Sequence, residues 1–360
     1  MEYGEGETSK MQVEFSHFVI TRLGFGIYDE ARLNKMIDLF AAVTLPSIKN
    51  QTEQDFFWLI VVDNACAEAN KKKISSLIAG HDNYYCVPID VTKLSNVRLA
   101  CFDWVWDHCQ AFILENSLIE DPEEYVVTSI IDADDAWNRE VIATVNQLVA
   151  RNMPAAFKRL NTRGTWLRHS VGLTITFPDG YIWFMSAKKI WPLKNEFRSM
   201  SVFAVARFSS GISACSCRHT QWRKYAEILE FEVISLPCKE PMWIYSRHDE
   251  TVESWNAMQG MQMPASFDDR LQNAFGIDLE KVDKWLSDYP PQKIIEKRFN
   301  PSAAVQYDLM FRIAIWNRKI QVLEKNSISN RADAEQSTDA LAQARRERET
   351  LIRELQRERR

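Results

Sequence analysis

The feature that most constrains this chain is residues 126–137, VVTSIIDADDAW, where a β-branched apolar run stops at three carboxylates, Asp132, Asp134 and Asp135. Such a run reads as a strand buried on both faces, which belongs in a largely parallel sheet covered by helices. In open α/β sheets the ligand crevice lies outside the carboxyl ends of the strands, so the acids stand where ligands bind. Three like charges so close together repel and resist desolvation, and a cation or a solvated turn must compensate them. Hard oxygen ligands on a short turn suit Mg²⁺ or Mn²⁺, which take one or two protein carboxylates and complete their shell with water and substrate phosphates. The plainer reading is a helix N-cap, because Asp135 precedes Trp137, Val141, Ile142, Val145, Leu148 and Val149 in helical spacing. On these residues alone both readings stay open.

The segments before the acids alternate in character. Residues 15–21 have strand composition, and residues 29–49 place Leu33, Ile37, Phe40, Thr44 and Ile48 on one helical stripe. Residues 55–63 (DFFWLIVVD) form a second strand ending on an acid, followed by a lysine-rich helix over 67–79 and a third strand over 84–89. A helix over 96–115 then feeds the acidic strand. Strands alternating with helices imply βαβ units with right-handed crossovers, hence a nucleotide-binding half over residues 15–150.

Beyond residue 153 the rhythm shortens, with strand-like runs at 155–160, 165–168, 172–177 and 181–185 and a hairpin turn expected at Pro178-Asp179-Gly180. A helix over 219–229 and strands at 231–236 and 242–245 complete an acceptor half over 151–265. Two short helices are expected over 268–288. A helical extension over 266–326 is expected to precede a charged helix over 327–360, and residues 1–14 are expected to be a flexible N-terminus. The final helix, with seven arginines against four glutamates from Arg345 onward, reads first as solvated and second as a partner or peripheral membrane contact.

Composition narrows the class. A formal charge of −5 argues against a nucleic-acid partner, and no apolar run approaches a membrane span. Seven scattered cysteines make no disulfide framework and suit a reducing compartment, so a cytoplasmic address is expected, with peripheral attachment to the inner face of a membrane as the second reading.

The string TLPSIKNQTEQDFFWLIVVD (residues 44–63), followed about 70 residues later by SIIDADDAW, resembles the GT-A glycosyltransferases of the large inverting family-two group. It is similar above all to the bacterial rhamnosyltransferase family, in which HFVITR, an LPS-x-x-x-QT-x-x-DF-x-WL segment and a WIYSRH-like element recur in this order, here over residues 15–255. The resemblance implies a Rossmann-like mixed sheet flanked by helices. It also implies transfer, with inversion, of a sugar such as rhamnose from a dTDP-, UDP- or GDP-sugar to a glycan or lipid-linked acceptor. Position by position, it assigns Asp132 and Asp134 to the DxD element, with Asp134 the direct ligand of Mg²⁺ or Mn²⁺ and Asp135 beside it. Asp63, Thr21 and Arg22 would line the base pocket, Asp132 and Arg98 would reach the nucleotide, and His248 would complete the metal or diphosphate shell. Ala133 departs from the polar residue often found between the first two aspartates.

Inversion by direct displacement also needs a carboxylate base for the acceptor hydroxyl. Asp179, Glu196, Glu240 and Asp249 are the candidates, Glu196 and Asp179 ranking first, and Trp166, Trp183, Trp191 and Trp222 are candidates for stacking an acceptor sugar. Two rival functions remain. A sugar nucleotidylyltransferase would carry a Gly-rich cationic loop after the first strand, where this chain has only RLGFGIYDE. A non-catalytic glycan-binding or assembly protein could keep the same shell, but would have no use for clustered acids.

Overall fold

The computed structural model describes residues 15–25, 27–90, 103–162, 172–186, 188–216, 221–248, 265–290, 301–329 and 334–358. Four parallel strands, β1 (Phe15–Leu23), β2 (Phe57–Asp63), β3 (Tyr84–Ile89) and β4 (Tyr125–Ile130), form one half of the main sheet in the order β3-β2-β1-β4. The other half adds β9 (Val202–Arg207), antiparallel to β4, then β6 (Leu173–Thr176) and β10 (Glu232–Ser235). Chain order therefore reverses between β1 and β4. That switch point opens a crevice at the carboxyl ends of the two strands.

The helices follow the sequence pattern with instructive departures. The stripe over 29–49 is two helices, α1 (Glu30–Ala42) and α2 (Thr44–Lys49), broken at Val43. Pro46 has no N–H and its ring crowds the carbonyl four residues earlier, that of Ala42, so one continuous helix is disfavoured. The Ala42 carbonyl instead accepts the Asp278 N–H at 3.2 Å. After α3 (Glu68–Ile78), α4 (Asp103–Glu115) delivers the chain to β4. Asp135 does not cap a helix: it precedes the short strand β5 (Ala136–Trp137), and α5 (Val141–Thr162) begins six residues later. α5 also runs through 155–160, where a strand was expected, because alanine-rich sequence continuing a helical repeat favours helix.

The expected hairpin at Pro178-Asp179-Gly180 is a crossover between sheets. β7 (Asp179–Phe184) leaves the main sheet and joins β8 (Lys189–Lys194), β11 (Trp243–Arg247), β5 and β12 (Ala265–Ser266) in a second sheet ordered β12-β8-β7-β11-β5. Gly180 is required there by close approach, since a Cβ would lie 2.1 Å from the Trp243 indole. α6 (Trp222–Leu229) precedes β10, and α7 (Asp269–Phe275) and α8 (Leu279–Asp288) match the two short helices expected. Each of these last two is capped by an aspartate, Asp268 accepting from Leu271 N–H and Asp278 from Lys281 N–H.

Apolar side chains cover both faces of the main sheet, with Trp104, Trp106 and Trp222 on one and Phe40, Trp58 and Trp137 on the other. A third core, around Trp183, Phe275 and Trp285, joins the second sheet to α1, α7 and α8. α9 (Pro301–Ser329) docks on the body through Arg318 on Asp107 (2.9 Å) and Lys319 on Glu230 (3.2 Å). The charged α10 (Ala334–Glu358) is not simply solvated: it packs back on α9, burying Ala344 and Leu351. Among the described residues no helix is long and apolar enough to cross a membrane.

One core group makes stability depend on pH. His17 of β1 is fully buried, its Nδ1 2.9 Å from Asn146 Oδ1 and its Nε2 3.1 Å from Ser129 Oγ. Burial lowers its pKa from 6.5 to about 4. A histidine neutral in the fold but protonated when unfolded contributes stability that is complete above pH 6.5 and is lost as pH falls toward 4. Between pH 7.5 and 4.5 the wild type should lose about 2 to 3 kcal/mol more than His17→Gln in urea unfolding. Equal losses would remove His17 as the cause.

Candidate active site

β1 and β4 bring Arg22 and the acidic turn together at the switch point. Arg22 closes β1, and its Nη2 lies 3.0 Å from Asp132 Oδ1, bridging the two strand ends. The turn closes on itself through Asp135 N–H donating to Asp132 O at 3.1 Å. Asp134 Oδ2 lies 3.0 Å from His248 Nε2, just past the end of β11. Arg22, Asp132, Ala133, Asp134 and His248 form one wall of a cavity of about 340 Å³. The rest of its lining comes from the loop after β1 and from α1, among them Phe25, Ile27, Arg32, Met36 and Leu39.

The turn is held from behind by α2. Thr44 Oγ1 donates to the carbonyls of Asp132 (3.2 Å) and Asp135 (2.8 Å), and Ser47 Oγ accepts the Trp137 N–H at 3.4 Å. Gln51 donates to Asn138 O (3.0 Å) and accepts the Ile142 N–H (3.1 Å). Thr52 donates both its backbone N–H (2.8 Å) and its hydroxyl (3.1 Å) to Arg139 O. The string TLPSIKNQT is thus a bracket for the backbone of 132–142.

The remaining residues singled out in the sequence divide. Asp135 is fully buried and does not line the cavity; its Oδ1 accepts the Ser246 N–H at 2.8 Å. Burial, then the charges of Asp134 and Asp132, push its pKa well above the usual carboxylate range, against the opposing pull of the Ser246 N–H and Arg247. Thr21 is corrected from pocket to core: it points into the sheet and accepts the Trp58 indole N–H at 3.0 Å. Asp63 ends β2, accepts the Ala65 N–H at 2.9 Å, and its charge raises the pKa of the exposed Tyr28 phenol. Arg98, Asp249 and Trp166 lie outside the described residues.

Neither favoured base reaches the cavity. β7 and β11 run parallel, with Phe184 level with Arg247, so Asp179 lies at the far end of its strand, roughly 16 Å away at the usual strand rise. Among the described residues its ion-pair partner is Lys194 at 3.8 Å. Glu196 follows Lys194, which pairs with Asp179 across β7 and β8, and its carboxylate takes Arg223 at 2.7 Å. Trp183 and Trp222 are core residues, which leaves Trp191 half-exposed. The cavity residues Arg32, Met36 and Leu39 had no signal in the sequence beyond their helix. The bracket had one, a run of Thr, Ser and Gln in an otherwise apolar segment.

Among the described residues no three His, Cys, Asp or Glu side chains converge as a ready-made metal cage. An ion that keeps waters and takes substrate phosphates needs only one or two protein ligands, and the Asp134–His248 pair on the cavity wall fits that requirement. Asp135, sealed away from the cavity, does not fit as a ligand.

Residues 25–260 match the family model described as "Putative rhamnosyl transferase". No curated protein matches the chain. Among solved structures it is similar to a "putative nucleotide-diphospho-sugar transferase" of Desulfovibrio desulfuricans G20, with 9% identity and a TM-score of 0.37 over 77% of this chain and 99% of that one. It is similar to S. aureus TarS 1-349 in complex with UDP, with 11% identity and a TM-score of 0.36 over 94% and 92% of the two chains. A third similarity is to the bifunctional glycosyltransferase WbbM, with 11% identity and a TM-score of 0.32 over 91% of this chain and 51% of that one.

Proposed function

The chain belongs to the putative rhamnosyl transferase family and is a glycosyltransferase, and from that premise we propose that it moves rhamnose, with inversion, from a nucleoside-diphosphate donor to a glycan or lipid-linked glycan. The observation that carries this reading is the cavity at the β1/β4 switch point, where acids, a histidine and two arginines face one another.

The donor's base end would lie toward Asp63 and Tyr28 at the carboxyl ends of β1 and β2, and its diphosphate between the acidic turn and α1. Arg22 and Arg32 supply positive charge for the leaving diphosphate, and Arg22 fixes Asp132 at the same time. Asp134 and His248 would hold Mg²⁺ or Mn²⁺, which supplies Lewis-acid stabilisation of the leaving group when bound. Apolar Phe25, Ile27, Met36 and Leu39 exclude water from that side of the cavity. The acceptor hydroxyl must lose its proton to a base, and among the described residues the cavity walls carry no carboxylate besides Asp132 and Asp134.

A thermal-shift series against UDP, GDP and dTDP, each with and without Mn²⁺, tests the reading. One nucleotide should raise the melting temperature in a metal-dependent way, since ligand at a hundred times its Kd stabilises by about 2.7 kcal/mol. No shift with any of them would overturn the donor assignment.

A further inference from the structure

The two members of the Asp134–His248 pair are held by different means. Asp134 sits on the turn gripped by α2, whereas His248 lies one residue past β11, where the ladder with β7 has ended at Arg247 opposite Phe184. Strand pairing therefore does not set the direction of the His248 ring. Trp285 of α8 meets that ring edge-on, with centroids 5.6 Å apart and planes at 74°.

Trp285 is itself anchored. It is buried in the third core, and its indole N–H donates to Lys35 O of α1 at 2.8 Å. The Lys35 ammonium stands 5.1 Å from the centre of the indole and 5.7 Å from that of Tyr289, whose hydroxyl donates to Asp38 at 3.0 Å. Asp38 in turn pairs with Lys73 of α3 at 2.7 Å. With its N–H bonded and a cation over its ring, the indole cannot turn without giving up a buried hydrogen bond.

α1, which holds the indole, also lines the donor cavity through Arg32, Met36 and Leu39, and Leu39 shares the third core with Trp285. One side chain thus joins the α1 lining to the histidine of the acidic pair. It stands beyond residues 25–260, the stretch that the family model matches.

We propose that Trp285 is a positioning residue: its ring edge holds the His248 imidazole with Nε2 on Asp134, so that α8 completes the site from outside the matched family region. The proposal rests on the reading of Asp134 and His248 as the metal pair. Groups that orient a metal ligand from behind are worth on the order of 10- to 100-fold in metal affinity, and Trp285 acts on His248 in that way.

The test compares three variants of the full chain. Trp285→Leu keeps the position apolar and helical, Trp285→Phe restores an aromatic edge, and Val282→Ala trims the same core about one turn earlier on α8. Mn²⁺ is titrated calorimetrically in the presence of whichever of UDP, GDP and dTDP binds. Its affinity should fall about tenfold in Trp285→Leu and stay within about twofold of wild type in the other two. The His248 side chain is 9% exposed, so its carbethoxylation by diethyl pyrocarbonate, followed by peptide mass spectrometry, should accelerate severalfold in Trp285→Leu alone. Either readout unchanged in Trp285→Leu, or the same changes in Trp285→Phe or Val282→Ala, would overturn the proposal. If the wild type takes up no Mn²⁺ with any of the nucleotides, the metal reading fails instead, and the modification rates still decide whether Trp285 holds His248.

Discussion

Trp243→Ala is expected to destabilise the protein by about 3 to 5 kcal/mol, read as a lower urea midpoint at unchanged slope. Trp243 is completely buried, lies on the Cα of Gly180 and donates its indole N–H to Phe177 O at 2.8 Å. It also pairs with Trp137 across β5 and β11, so one side chain ties the second sheet to the chain leaving the acidic turn. Truncation would open a cavity and strand a buried carbonyl, two costs that add. A loss below about 1 kcal/mol would mean that the second sheet packs independently of that indole.

Asp134→Ala is expected to lower sugar transfer on the order of 100- to 1,000-fold, equivalent to about 3 to 4 kcal/mol of transition-state stabilisation. The same substitution should abolish the Mn²⁺ dependence of nucleotide binding. Asp134 is 28% exposed and touches His248 on the cavity wall, so its loss should leave the melting temperature of the unliganded protein nearly unchanged. That separates it from Asp135, whose removal would strip the Ser246 N–H of its buried partner. A variant that keeps both transfer and metal dependence would remove Asp134 from the site.

Local pattern made much of the nucleotide-binding half legible. β1 to β4 are short apolar runs with polar boundaries, and β3 occupies the expected residues 84–89. The acids were legible because three charges at the end of a buried strand have few structural explanations. Partners across the second sheet were not. Asp179 looked like a turn residue beside Gly180, yet Gly180 is a landing for an indole 63 residues away, and nothing local distinguishes the two roles. Glu196 ranked among the candidate bases, and only the fold supplies its partner Arg223. Thr21 shares a strand end with Arg22, but alternation sends it to Trp58 instead of the cavity.

The bracket formed by Thr44, Ser47, Gln51 and Thr52 grips carbonyl and amide groups of 132–142. Such a grip reads main chain and is indifferent to what each position carries. The acidic loop therefore behaves as a socket in which Ala133, whose side chain makes no polar bond, can be exchanged without resetting its shape. Directed evolution of donor preference would do best to randomise position 133 with the cavity positions 36 and 39, and leave 44, 47, 51 and 52 and the carboxylates of 132 and 134 untouched. Libraries built the other way round would lose the loop's geometry before sampling any new chemistry.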